Sequence, residues 1–224
     1  MNKKVPMLAG VVALAGCNQP QTKPSESADE AAAVSTQTGA EPAAVETREL
    51  TCTSPIRADD TADTLIARYG PAAQRMTVPG AEGMDTPGVV LWANDPARRV
   101  EVLFWDDALT RPAHIAVPAG SAWRVVGLAA NAPLSAVTAA NGRPFKLSGF
   151  GWDYGGMVTD LAGGALASAA APCSVVLRFT VSADLPAGTM GDGVTLSSDD
   201  PRLAGKDVQL DGIGLGFPAP EGME

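Results

Sequence analysis

Between residues 51 and 217 the chain is a succession of short apolar runs punctuated by glycine, proline and aspartate. Asp60-Thr61-Ala62-Asp63 is a helix-start signal, since small oxygen-bearing side chains accept the first free N–H groups of a helix. The helix it opens runs through Leu65, Ile66 and Tyr69 and stops at Gly70-Pro71. A second short helix opens at Pro133-Leu134-Ser135-Ala136-Val137 and stops at Asn141-Gly142. Strand-like segments follow each helix. Val89–Trp92 and Arg99–Trp105 come after the first, parted by the turn Asn94-Asp95-Pro96; Val100, Val102 and Phe104 alternate on one face. Phe145–Phe150 and Cys173–Val181 come after the second. In the latter, Val175, Leu177, Phe179 and Val181 face one way and Ser174, Arg178 and Thr180 the other, the period of a half-buried antiparallel strand. Ile115–Val117, Trp123–Leu128, Val194–Leu196 and Val208–Leu210 read as further strands.

These elements predict an α+β fold, an antiparallel sheet with short helices. The helix stops Gly70 and Gly142 lie 72 residues apart, and the alternating strands are similarly offset. That offset suggests two degenerate helix-plus-strands repeats, with candidate halves 51–126 and 127–217. Residue identities barely match across it, so two unrelated stretches of one domain remain the alternative. The layout resembles the tandem helix-on-sheet fold of beta-lactamase inhibitory proteins and small outer-membrane-assembly lipoproteins. No signature motif of those families is present, so no functional residue carries over. The stretch Asn141 to Gly156, NGRPFKLSGFGWDYGG, also resembles part of uncharacterised bacterial lipoproteins, which implies no activity.

The N-terminus reads as an address. Lys3 and Lys4 precede an apolar stretch, Val5 to Leu14, that is too short for a transmembrane helix of ~20 residues and suits a signal-peptide core. It ends in Leu14-Ala15-Gly16-Cys17, which resembles the lipobox of bacterial lipoproteins. The resemblance covers residues 1–17 and implies removal of residues 1–16 and acylation of Cys17. Several acyl chains together make a stable anchor, each buried CH₂ contributing ~0.8 kcal/mol. An ordinary secretory signal with a nearby cysteine is the plainer alternative. Asn18, where inner-membrane-retained relatives of Gram-negative hosts carry Asp, implies sorting to the outer membrane, facing the periplasm. The expected membrane contact is through the N-terminal lipid.

Residues 17–50 then read as the lipidated cysteine and a tether. Segment 18–50 has no aromatic residue and is rich in Ala, Thr, Glu, Gln, Ser and Pro, so it cannot bury enough apolar area to offset the entropy of ordering. As a flexible coil it reaches roughly 30 Å. Residues 218–224 read as a C-terminal tail. With Cys17 acylated, Cys52 and Cys173 are an even pair in an oxidising compartment and are expected to bond to each other. Two buried free thiols are the alternative.

Composition narrows the function classes. The chain has 224 residues, 46% of them apolar and 5% aromatic, enough for one ordinary domain with its own core. A formal charge of −9 argues against nucleic acid as a partner, which needs a basic footprint. Three cysteines and one histidine leave little for a zinc or haem site.

The densest candidate site is Gly149 to Gly156, where Phe150, Trp152, Asp153 and Tyr154 sit among glycines. Aromatics flanking a carboxylate suit a sugar- or peptide-binding lip. The structural alternative is a tight turn whose rings fill the core while Asp153 holds backbone N–H groups. The glycine spacing matches part of a dinucleotide fingerprint but lacks its βαβ context, so no cofactor is expected. His114 reads as a polar-face strand residue. A triad can be written from Ser121, His114 and Asp107, but no nucleophile-elbow motif supports it. The pairs Asp106-Asp107 and Asp199-Asp200 read as solvated turns rather than calcium ligands, and Asp192 as a turn residue. Trp92, Trp105 and Trp123 read as core. No catalytic or metal site is expected.

The resulting expectation is an anchored envelope lipoprotein that binds an envelope protein or glycan, or assists envelope assembly, without catalysis. A glycan-directed hydrolase using Asp153 with a distant carboxylate, and a purely structural lipoprotein, are the alternatives.

Overall fold

The computed structural model describes residues 48–80, 83–182 and 184–222. Cys17, the lipobox and all but the last three residues of the expected tether lie outside them. The elements run β1 (Arg48–Leu50), α1 (Ala62–Tyr69), β2 (Ala73–Pro79), β3 (Asp85–Leu91), β4 (Val100–Phe104), β5 (Pro112–Pro118), β6 (Trp123–Val125), β7 (Leu128–Ala129), α2 (Leu134–Asn141), β8 (Lys146–Ser148), β9 (Val158–Asp160), β10 (Ser174–Val181), β11 (Thr195–Ser197) and β12 (Val208–Gly216). The fold is α+β. A six-stranded antiparallel sheet, in the order β10-β12-β5-β4-β3-β2, is flanked by two three-stranded sheets, β1-β6-β7 and β11-β8-β9.

Both helices begin and end where their sequence signals lie. Thr61 caps α1 by accepting the Thr64 N–H at 3.1 Å, and the Thr64 hydroxyl accepts the Thr61 N–H at 2.8 Å. Asp60, almost fully buried, accepts the Arg57 N–H at 2.8 Å and receives the Arg68 guanidinium from the last turn of the helix. Burial pushes its carboxyl upward, but the Arg68 hydrogen bond and the Arg57 N–H outweigh that and hold the pKa below the usual range. At the end of α2, Gly142 takes the left-handed conformation that stops a helix.

The large sheet buries one face. Val89, Leu91, Val100, Val102, Ile115, Val117, Leu177, Phe179, Ile213 and Leu215 form one cluster with Leu65 of α1 and Val137 of α2. The alternation that marked β4 and β10 is therefore the core-facing period of this sheet. β2 escaped the sequence reading because it is an edge strand with only Ala73 and Val78 buried, so it shows no alternation.

The folded region begins earlier than expected. Arg48–Leu50 is not tether: it pairs in parallel with β6, and Leu50 is only 2% exposed. One apolar residue in an otherwise polar stretch left no periodic signal. The expected strand Trp123–Leu128 is instead a hairpin, β6 and β7, turning at Val126 (φ 48°) and Gly127 (φ 78°). A two-residue turn of this kind needs positive φ at both positions, and valine hides it. At the other end Phe217 is buried and its N–H donates to Ala113 at 2.8 Å, beyond which residues 218–222 form no strand.

The two halves meet in one sheet. α1 leads into the meander β2–β5, whereas α2 leads into the β8–β9 hairpin of a smaller sheet, and only β10 and β12 of the second half join the large one. The pairing of β12 with β5 joins the halves. Cys52 and Cys173 form a disulfide, with Cα atoms 5.7 Å apart across 121 residues. Opening so long a loop removes up to about 4–5 kcal/mol in the chain-entropy model. The double variant Cys52→Ala, Cys173→Ala is expected to unfold well below the parent in a thermal scan, and reductant should lower the parent's transition without moving the variant's.

Candidate functional site

The side of the large sheet opposite the core is shaped by β12. Its Ile213 and Leu215 point into the core, while Gly212, Gly214 and Gly216 fall on the other face. In register, Gly214 lies between Ala116 and Val176, Gly212 between Pro118 and Arg178, and Gly216 between His114 and Ser174. Three glycines in a row leave a trough of bare backbone between two strands that carry side chains. At Gly214 nothing larger fits: a Cβ would collide with the Ile115 carbonyl and come 2.7 Å from His114 Nε2. The imidazole of His114 therefore lies across the trough.

A bulge brings the charged pair of the site together. Arg178 stands opposite Gly212 and Phe179 opposite Leu210, which leaves Asp211 without a cross-strand partner. The extra residue keeps Leu210 and Ile213 both in the core and frees Asp211 from the alternation. Asp211 Oδ2 accepts from Arg178 Nη2 at 2.8 Å, and the side chains remain 40% and 46% exposed. The pair forms a wall shared by two cavities. One, of about 360 Å³, is bordered by Leu103, His114, Ala116, Pro118 and Val176; the other, of about 370 Å³, by Phe150, Trp152, Thr180 and Met190.

The Gly149–Gly156 loop forms the far side of the second cavity. Gly149 N–H donates to Val194 at 2.7 Å, Phe150 N–H to Thr189 at 2.9 Å, and Phe179 N–H to the Gly156 carbonyl at 2.9 Å. Gly156 is required there, with φ 73° and a Cβ that would strike the Phe179 carbonyl. Of the four residues singled out in this loop, Phe150 is buried and anchors it. Trp152 is half-buried, its indole N–H bonded to the Gly149 carbonyl at 2.8 Å. Tyr154, 38% exposed, meets the Trp152 ring edge-on at 5.3 Å between centroids. Asp153 is exposed, lines neither cavity and does not hold the turn; the Trp152 carbonyl does, accepting the Gly155 N–H at 2.8 Å. Asp211 is the carboxylate that accompanies the aromatic residues.

The sequence reading missed Arg178, Asp211 and Met190 as a group. The signal for the trough was present in Gly212-Ile213-Gly214-Leu215-Gly216, glycine at every second position. The bulge that turns Asp211 toward Arg178 leaves no such mark.

The other candidates stay apart. The Ser121 hydroxyl donates to the Ala97 carbonyl at 3.3 Å, and His114 Nε2 is buried without a partner, so Ser121, His114 and Asp107 are not linked. Asp106 accepts the Thr110 hydroxyl at 2.8 Å, and Asp200 caps a short turn and pairs with Arg202. Trp123 is buried and Trp92 half-buried, with ring centroids 5.9 Å apart, but Trp105, expected in the core, is exposed just after the end of β4. Among the described residues no group of three or more His, Cys, Asp or Glu is placed to hold a metal, and no helix is long and apolar enough to cross a membrane. No protein-family model, curated protein or solved structure matches the chain.

Burial lowers the His114 pKa from 6.5 to about 4. Between those values the unfolded chain binds a proton that the folded one refuses, so this residue makes stability fall as pH drops through that window. The difference in unfolding free energy between the parent and His114→Leu should slope across pH 6.5 to 4 and flatten on either side. In the loop, Phe150→Ala is expected to cost about 3–5 kcal/mol in equilibrium denaturation. Asp153→Ala should stay within about 0.5 kcal/mol of the parent.

Proposed function

We propose that the chain is a lipid-anchored protein of the bacterial envelope whose domain is a non-catalytic binding protein, with the outer sheet face as its docking surface. The sequence Leu14-Ala15-Gly16-Cys17 supports the anchor, Asn18 supports the outer membrane, and the Cys52–Cys173 disulfide agrees with an oxidising compartment. The observation that carries the binding reading is the exposed Arg178–Asp211 pair, set by a bulge between two open cavities on a sheet face. On this face the β12 glycines carry no side chains, and the bulge sets Asp211 beside Arg178. The result is an accessible concave surface with a few convergent polar groups, the usual form of a ligand site. The bound species is an envelope protein or a glycan.

Two measurements test this reading. Cys17→Ala should shift the protein from the membrane to the soluble fraction on cell fractionation; retention in the membrane would overturn the anchor. A photoreactive side chain at Met190, which borders the groove and is 50% exposed, should give a defined crosslinked product in intact envelopes. The same probe at exposed Ala140 on α2 should not. Equal products at both positions, or none at either, would remove the groove as the docking surface.

A further inference from the structure

We infer that the groove takes a neutral oligosaccharide, one pyranose ring lying against Trp152 and Met190 with its hydroxyls on the Arg178–Asp211 pair. This rests on the reading of the groove as a binding site and names its ligand class. The cavity beside Trp152 is bordered by one cation and one anion that already neutralise each other at 2.8 Å. A charged ligand would lose hydration there with no net charge to offset the loss. The pair instead presents acceptors on the carboxylate and donors on the planar guanidinium, both partly exposed. Adjacent hydroxyls, each donor and acceptor at once, match that set by paired hydrogen bonds.

The apolar part of the cavity completes the match. Trp152 is held by its N–H on the Gly149 carbonyl and by the Tyr154 edge, so its ring is oriented before any ligand arrives. Met190 extends its terminal methyl over Gly151, into the space a side chain there would take. A pyranose has one face of C–H bonds and a rim of hydroxyls, an amphipathic shape that suits an aromatic ring beside polar groups. The volume of about 370 Å³ lies in the range of small-molecule sites, roughly 300–1,000 Å³. The neighbouring cavity of about 360 Å³, across the ion pair, gives a second ring or an apolar substituent a place against Leu103, Ala116 and Pro118.

An extended peptide fits less well. Peptides commonly add a strand to a sheet edge, and along β10 that edge is occupied: Phe179 N–H donates to Gly156, and Met157 pairs with Arg178.

The test is a titration of the detergent-solubilised full chain with tri-N-acetylchitotriose and with maltotriose, followed by tryptophan fluorescence and calorimetry. At least one should bind saturably. Trp152→Ala and Asp211→Asn should each weaken binding about tenfold or more. Asp153→Ala, outside the groove, should stay close to the parent. Thermal unfolding of each variant separates lost binding from lost folding. No saturable binding of either sugar, or binding indifferent to Trp152 and Asp211 in folded variants, overturns the saccharide inference. If a Met190 probe still captures a polypeptide in that case, the docking surface stands and its ligand is a protein; if it captures nothing, both readings fall.

Discussion

The whole sheet depends on β12 accommodating two neighbours at once. It pairs with β10 over eight positions on one side and with β5 over five on the other, and the second ladder ties the late strands to the early meander. To do so it must lie close to both while Ile213 and Leu215 fill the core behind it. At Gly214 the Ile115 carbonyl leaves no space for a side chain. The bare backbone at the middle of the trough follows from that close approach, whereas at Gly212 a Cβ would meet only ordinary contact. The trough is the back of a strand whose front is committed to packing.

The bulge at Asp211 belongs to the same constraint. A strict two-residue period running through Leu210 would place Gly212 and Gly214, rather than Ile213 and Leu215, in the core. One inserted residue resets the phase, so both hydrophobic stretches of β12 point inward. The inserted residue is an aspartate, and the strand beside it offers Arg178. An exposed ion pair of this kind contributes little to stability, so what it fixes is the wall between two cavities rather than the fold.

The Gly149–Gly156 loop is a wall of the groove because β10 anchors it. Gly156 approaches Phe179 closely enough for a backbone hydrogen bond, and Phe150 is drawn inward while Trp152 stays at the rim. Neither reading of the loop from sequence is complete. It has the buried ring and backbone-held turn of a structural loop, but also a half-buried tryptophan on the same cavity as an ion pair. Asp153 drew attention through its aromatic neighbours, yet the carboxylate that borders a cavity with Phe150 and Trp152 is Asp211, which lies 58 residues further along the chain.

What the sequence by itself determined was local. Both helices were legible because caps and stops are short-range hydrogen-bond chemistry, as Thr61–Thr64 and Gly142 show. The strands of the core face were legible because burial on one side imprints a period of two, as in Val100–Phe104 and Ser174–Val181. The pairing of Cys52 with Cys173 was an expectation that set Cys17 aside on the lipobox resemblance and left two free thiols open; the tertiary structure decided it. Edge strand β2, short β1 and the Val126 turn lay outside those signals, since exposure, brevity and an unfavourable residue each erase them. The tertiary structure alone decided the groove. Strand order, the register that sets Gly212 beside Arg178, and the single-residue bulge at Asp211 all arise from pairing between distant segments. No local preference encodes which strand will be the neighbour, so the residues that border the two cavities are adjacent only after folding.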